Sequence, residues 1–182
     1  TPRPNKGVTV YVAHKYASHS QGFNRRVFGK EGAMAYIARS KTDDWSTPPD
    51  LKARLEREHA GPQGFSDYDP CPIGGSGGLE WLWPLDGRAV FVNPPYSKLK
   101  STKKRGIGWI EKCRNEASRG RVVVALIPAR TDTTWFHDHI LPHAAVYFLR
   151  GRVKFGSRGT PAPFPSMAVV WPSACKASGP SE

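Results

Sequence analysis

Long apolar runs, paired cysteines and acidic side chains are all scarce in this sequence. The longest apolar stretch, VVVALIPA, falls far short of the roughly 20 residues that cross a bilayer as a helix, so no membrane partner is expected. No signal-peptide pattern is visible in the residues present. Cys71, Cys113 and Cys175 are odd in number, widely spaced and free of CxxC pairing. That excludes a disulfide framework and a cysteine zinc site, and it fits a reducing compartment. Asp and Glu together number 15 against 27 Lys and Arg, a net charge of +12.

That excess is uneven. Residues 1–40 carry seven basic and one acidic side chain, residues 98–121 nine and two, and residues 150–182 five and one. Three basic blocks around a slightly acidic remainder point to a polyanion partner beside a separate small-molecule pocket. With 38% hydrophobic residues, six Trp, eight Phe and six Tyr, the chain of 182 residues has the material for one folded domain with a core. Its 18 Gly and 17 Pro predict extensive loops.

Periodicity divides the chain into alternating elements. GVTVYVAH (7–14) reads as a strand. STPPDLKARLEREHAG reads as a helix, capped by Ser46 or Thr47, with Leu51 and Leu55 on one face and Gly61 at its end. FSDYDPCP suggests a short strand ending at Asp69, followed by the flexible loop IGGSGG. AVFV and VVVALIP read as strands buried on both faces. Between them, Ile107, Ile110, Cys113 and Ala117 recur at helical spacing. TDTTWFHDHILP predicts a short capped helix stopped by Pro142, and AVYFLRGRVKF and SMAVVW predict closing strands. The class is therefore α/β, a mostly parallel sheet with helices on both faces. Ligands of such sheets bind beyond the carboxyl ends of the strands. Asp69, Asn93 and the segment from Pro128 to Asp132 would gather there.

AVFVNPPYSK carries the chemistry. Pro94 and Pro95 fix their φ angles and bring no N–H donors, so carbonyl acceptors dominate the turn. Asn93 adds a side-chain carbonyl. Two acceptors a few ångströms apart suit an exocyclic amine, whose lone pair is otherwise delocalised into its ring. Accepting both N–H groups, at Asn93 Oδ1 and the Pro94 carbonyl, draws the nitrogen toward tetrahedral geometry. Tyr96 can stack on the base, and no covalent intermediate is required. The histidines of HDHILPH do not form a metal site on this reading, because HxH on a helix separates the rings and Pro142 interrupts the run.

VNPPY resembles the catalytic motif of adenine-specific DNA N6-methyltransferases. The order of KTDDWSTPPDL, YDPCP, GGLEW, GRAVFVNPPYS, WIEKC, VVVALIPARTDTTWFHDHI, FLRGRVKFG and APFPSMAVVW is similar to the small phage-type DNA N-6-adenine methyltransferases. The likeness spans about residues 41–171. It implies a Rossmann-like fold, S-adenosylmethionine as methyl donor and adenine in double-stranded DNA as acceptor. It divides the chain into a basic extension (1–40), a methyltransferase domain (41–172) and a flexible tail (173–182), and it implies the cytoplasm of a bacterial host for a phage or prophage protein. By the same resemblance Asn93, Pro94, Pro95 and Tyr96 are catalytic. Trp45, Thr47, Pro48, Asp69, Cys71 and Asn93 would bind the cofactor. Thr47 and Pro48 would lie on its methionine part and Asp69 on its amino group. Where the family usually has an acidic residue before GL, this chain has GSGGL, which leaves Glu80 as the candidate for the ribose hydroxyls.

Methylating a base in a duplex requires taking it out of the stack. Lys98, Lys100, Lys103, Lys104 and Arg105 follow the catalytic turn and suit phosphates beside a flipped nucleotide. Arg130 and Asp132 sit on the same predicted edge, as substrate- or loop-positioning residues. Arg150, Arg152 and Lys154, two apart, would share one face of a strand as a phosphate strip. RNA and protein-glutamine methyltransferases also use NPPY, and a degenerate DNA-binding homologue is a further alternative.

Overall fold

Val and Ala without polar interruption produce two strands buried on both sides, as their composition predicts. These are β2 (Val90–Val92) and β3 (Val123–Pro128), in which every residue is buried. The computed structural model describes residues 10–11, 46–72, 77–103, 106–156 and 160–174. The remaining elements in chain order are β1 (Val10–Tyr11), α1 (Pro49–His59), α2 (Trp109–Ser118), β4 (Ala145–Phe148), β5 (Lys154–Phe155), β6 (Thr160–Pro161) and β7 (Ser166–Trp171). A 3₁₀ turn covers Tyr96–Lys98 and a short π-helical segment Phe136–Ile140. Among the described residues no helix is long and apolar enough to cross a membrane.

Five strands form one sheet in the order β1-β4-β7-β3-β2, and β5 and β6 make a separate pair. The class is α/β, but the expected mostly parallel sheet is mixed. Only β2 and β3 pair in parallel, whereas β7 is antiparallel to both β3 and β4, and β1 to β4. A parallel return needs a long crossover, usually helical. The residues between β4 and β7 instead fold into the β5–β6 hairpin, so the chain comes straight back. Inserting β7 still leaves β2, β3 and β4 running one way, with their carboxyl ends on one edge.

Helices cover both faces, as expected. α2, Trp83 and the π-helical segment pack on Val90, Val92, Ala125, Ile127 and Val169. Leu55 of α1 packs with Phe155 and Phe164 on Phe91, Val124, Leu126 and Ala168. The alternation of each strand across the two clusters is the two-residue period of side chains along a strand.

Four local expectations need correction. α1 is entered from Pro48 with no side-chain cap, so neither Ser46 nor Thr47 caps it. The strand expected at FSDYDPCP shrinks to one bridge, Phe65 to Ala89. Ser66 Oγ accepts the Tyr68 N–H (3.2 Å) and Asp69 Oδ1 the Cys71 N–H (2.8 Å). These turns compete with a ladder that Pro70 and Pro72 cannot join. The helix expected at TDTTWFHDHILP is π-helical and lacks a side-chain cap, since the Thr133 hydroxyl donates to the Arg130 carbonyl (2.8 Å). AVYFLRGRVKF is broken at Gly151 (φ 80°) into β4 and β5. Arg150 thus lies before the break and shares no strand face with Lys154. Arg152 and Lys154 do alternate, exposed, with buried Val153 and Phe155.

Candidate active site

Val92 is fully buried, and the chain leaves β2 directly into Asn93, which is half-buried, and Pro94, which is buried. Neither proline has an N–H, so the turn closes one step later, where the Lys98 N–H donates to the Pro95 carbonyl (2.9 Å). Among the described residues no N–H or O–H is bonded to the Pro94 carbonyl. Asn93 Nδ2 donates to Thr47 Oγ1 at 2.9 Å, and the Tyr96 hydroxyl donates to Asn93 Oδ1 at 2.9 Å. The NPPY turn and the segment before α1, 46 residues apart in sequence, therefore meet at one carboxamide.

The Tyr96 ring packs edge-on against Phe164 and Phe155, with centroids 5.4 and 6.2 Å away. Burial pushes its phenol well above the usual tyrosine range, so the hydroxyl stays protonated and able to donate. In this arrangement the ring forms a wall of the site. Phe155 and Phe164 were not singled out from sequence as site residues. Their signal was faint, two aromatics inside RGRVKF and PFPSM, and only the hairpin β5–β6 brings them to Tyr96. A backbone bond from the Gly156 N–H to the Ser46 carbonyl (3.0 Å) ties that hairpin to the Thr47 segment.

Asp69 is exposed beyond the Phe65 bridge, and Cys71 beside it is half-buried. Burial, then the charge of Asp69, pushes the Cys71 thiol up to about 11, and burial raises buried Cys113 as well. Both shifts favour the neutral thiol over the nucleophilic thiolate. Gly78 is pressed against this corner: a Cβ there would lie 2.0 Å from the Pro70 carbonyl oxygen. Backbone cannot yield as a side-chain tip can, so Gly78→Ala is expected to lower unfolding free energy by about 1–3 kcal/mol, read by urea titration. An unchanged midpoint would mean that the loop is not held against Pro70.

Lys98, Lys100 and Lys103 are exposed next to the turn; Arg130 is half-buried after β3, its Nε without a hydrogen-bond partner, and Asp132 is exposed. Arg150, Arg152 and Lys154 are exposed, as is Glu80. Trp45, Lys104 and Arg105 lie outside the described residues. A cleft of about 510 Å³ lies at the opposite edge, where Ala89 and Val122 precede β2 and β3, and none of the sequence-predicted site residues lines it. Of its arginines, Arg88 is paired with Asp67 and Asp86 (3.0 and 3.3 Å), Arg119 with Glu116 (2.7 Å) and Arg121 more loosely with Glu116 (3.6 Å), with Arg121 Nε and Nη1 lacking a hydrogen-bond partner.

The family model for DNA N-6-adenine-methyltransferase (Dam) matches residues 77–171, just over half of the chain. The chain belongs to that family. The matched stretch contains the NPPY turn, all of β2, β3, β4 and β7, and both Phe155 and Phe164. It begins after Asp69 and after Thr47, which is joined to the turn by its hydrogen bond with Asn93. No curated protein and no solved structure matches the chain.

Proposed function

We propose that this member of the DNA N-6-adenine-methyltransferase family has a Rossmann-like methyltransferase fold and transfers a methyl group from S-adenosylmethionine to N6 of adenine in double-stranded DNA. The observation that carries the reading is the pair of acceptors on the NPPY turn: the Asn93 carboxamide oxygen and, one residue on, a Pro94 carbonyl to which no described group donates. A planar amine has two hydrogens to give. The Tyr96 hydroxyl, now on Asn93 Oδ1, stands where the first of them would go. Once both are accepted, conjugation with the ring is weakened and the nitrogen lone pair becomes available. The mechanism needs no thiolate, in accord with the raised Cys71 and Cys113.

The residues on this edge fit the cofactor. When bound, S-adenosylmethionine supplies a methyl group on a cationic sulfur. Its carboxylate suits the Thr47 hydroxyl, which has a proton to donate, and its ammonium suits the exposed Asp69 carboxylate; Pro48, Cys71 and Asn93 complete the set, with Trp45 from sequence. Glu80 remains the candidate for the ribose. The common edge of the carboxyl ends of β2, β3 and β4 supports the Rossmann-like reading. Lys98, Lys100, Lys103, Lys104 and Arg105, with Arg130, Arg150, Arg152 and Lys154, would hold phosphates around a flipped nucleotide. The cytoplasm of a phage's bacterial host is the corresponding location.

Incubating the protein with labelled S-adenosylmethionine and mixed-sequence duplex DNA, then analysing nucleosides by mass spectrometry, tests this. N6-methyladenine is the expected product. N4-methylcytosine would keep the turn's role and change the base. Unmodified DNA despite measured cofactor binding would sink the DNA reading in favour of RNA or protein acceptors, and absent cofactor binding would favour a degenerate scaffold.

A further inference from the structure

We propose that Thr47 is a positioning residue whose hydroxyl oxygen holds the Asn93 carboxamide in the one orientation that presents Oδ1, not Nδ2, to the target amine. The inference rests on the methyltransferase reading and adds to it a role for the segment before α1 beyond contact with the cofactor.

A carboxamide can rotate by half a turn and exchange its acceptor for a donor at almost no intrinsic cost, so its neighbours decide. Asn93 stands between two hydroxyls, Thr47 Oγ1 and Tyr96 OH, each at 2.9 Å. They are not equivalent. A phenol is the more acidic donor and the poorer acceptor, because its oxygen lone pair is shared with the ring. An aliphatic hydroxyl is the better acceptor. The favoured arrangement therefore puts Nδ2–H on Thr47 and Oδ1 toward Tyr96, and this is the arrangement observed. With the amide reversed, an N–H would meet the N–H of the incoming amine, donor against donor.

The placement of Thr47 also fits this role. Its hydroxyl does not cap α1, although Thr at a helix start commonly does so. The side chain is half-buried, and its segment is fixed on one side by the hydrogen bond from the Gly156 N–H to the Ser46 carbonyl and on the other by Pro48 and Pro49. With one lone pair engaged by Asn93, the Thr47 O–H can still donate. Among the described residues no acceptor takes it, so a bound carboxylate there would strengthen the amide contact instead of competing with it.

The test compares Thr47→Val, which keeps the shape and removes the acceptor, with Thr47→Ser, which keeps the acceptor. At saturating S-adenosylmethionine, Thr47→Val is expected to lower kcat about 10- to 100-fold, in line with leaving one polar contact unmet, and Thr47→Ser to restore most of the loss. Cofactor affinity is measured separately by calorimetry. A Thr47→Val protein with weakened cofactor binding and normal kcat would overturn the proposal and leave Thr47 a cofactor ligand only. A second readout needs no activity. The Asn93 side-chain NH₂ resonances, assigned by their loss in Asn93→Ala, should include the proton bonded to Thr47 Oγ1 in the wild type and in Thr47→Ser, and that proton should shift upfield in Thr47→Val. Unchanged resonances in Thr47→Val would refute the contact. If the wild type binds cofactor but methylates no DNA, the DNA reading fails while the resonance result still decides whether Thr47 holds the carboxamide.

Discussion

Asn93→Ala is expected to cut turnover by about 100-fold or more while leaving the protein folded. Deleting one preorganised polar contact to the reacting group costs about 10²–10³ in rate in comparable sites. Asn93 is only half-buried and stands at the end of β2, outside both apolar clusters, so the fold has little to lose. The variant removes the Oδ1 acceptor and also releases the Tyr96 and Thr47 hydroxyls from the carboxamide. The check is single-turnover methylation at saturating cofactor, paired with a thermal melt. Turnover within a few-fold of the wild type would refute the role given to the turn. A melt lowered by many degrees would show instead that the carboxamide is structural.

Asn93, the buried strand before it and the prolines after it were legible because their signals are local: an apolar β-rich run, then residues without N–H donors. The same holds for β3 and for the apolar face of α2, whose Ile110, Cys113 and Ala117 are buried as their spacing predicts. What the sequence could not reveal depends on contacts between distant segments. The direction of β7 followed from a hairpin in the preceding loop, which no periodicity marks. The Thr47 hydroxyl looked like a helix cap because capping is a local rule, yet it bonds a residue 46 positions away. Lys112 and Glu116, an i,i+4 pair of the kind that decorates helix surfaces, were not singled out from sequence. In the fold they are 6% and 1% exposed, because Trp83 and its loop close over them.

That buried pair leads to the largest stability effect expected in the molecule. The Glu116 carboxylate faces three cations, Lys112 Nζ at 2.7 Å, Arg119 Nη1 at 2.7 Å and Arg121 Nε at 3.6 Å. Two of these cations also hold the loop from Trp81 to Trp83. Lys112 donates to the Trp81 carbonyl (2.8 Å) and Arg121 to the Trp83 carbonyl (2.5 Å), while Trp83 Nε1 donates to the Gly78 carbonyl (2.7 Å). Glu116→Gln keeps the volume and removes the charge, leaving Lys112 and Arg121 buried without their counter-ion. Breaking a buried pair from one side costs about 3–5 kcal/mol, far more than the pair is worth against an apolar replacement. A stable domain has only about 5–15 kcal/mol in all, so the variant should unfold at a much lower urea midpoint with a similar slope. Glu58→Gln, which weakens the exposed 3.9 Å pair with Arg54, is the control and should change stability by less than about 1 kcal/mol. If the two variants lose the same small amount, water reaches the Glu116 cluster and the loop that carries Gly78 toward Pro70 is held by Trp83 packing alone.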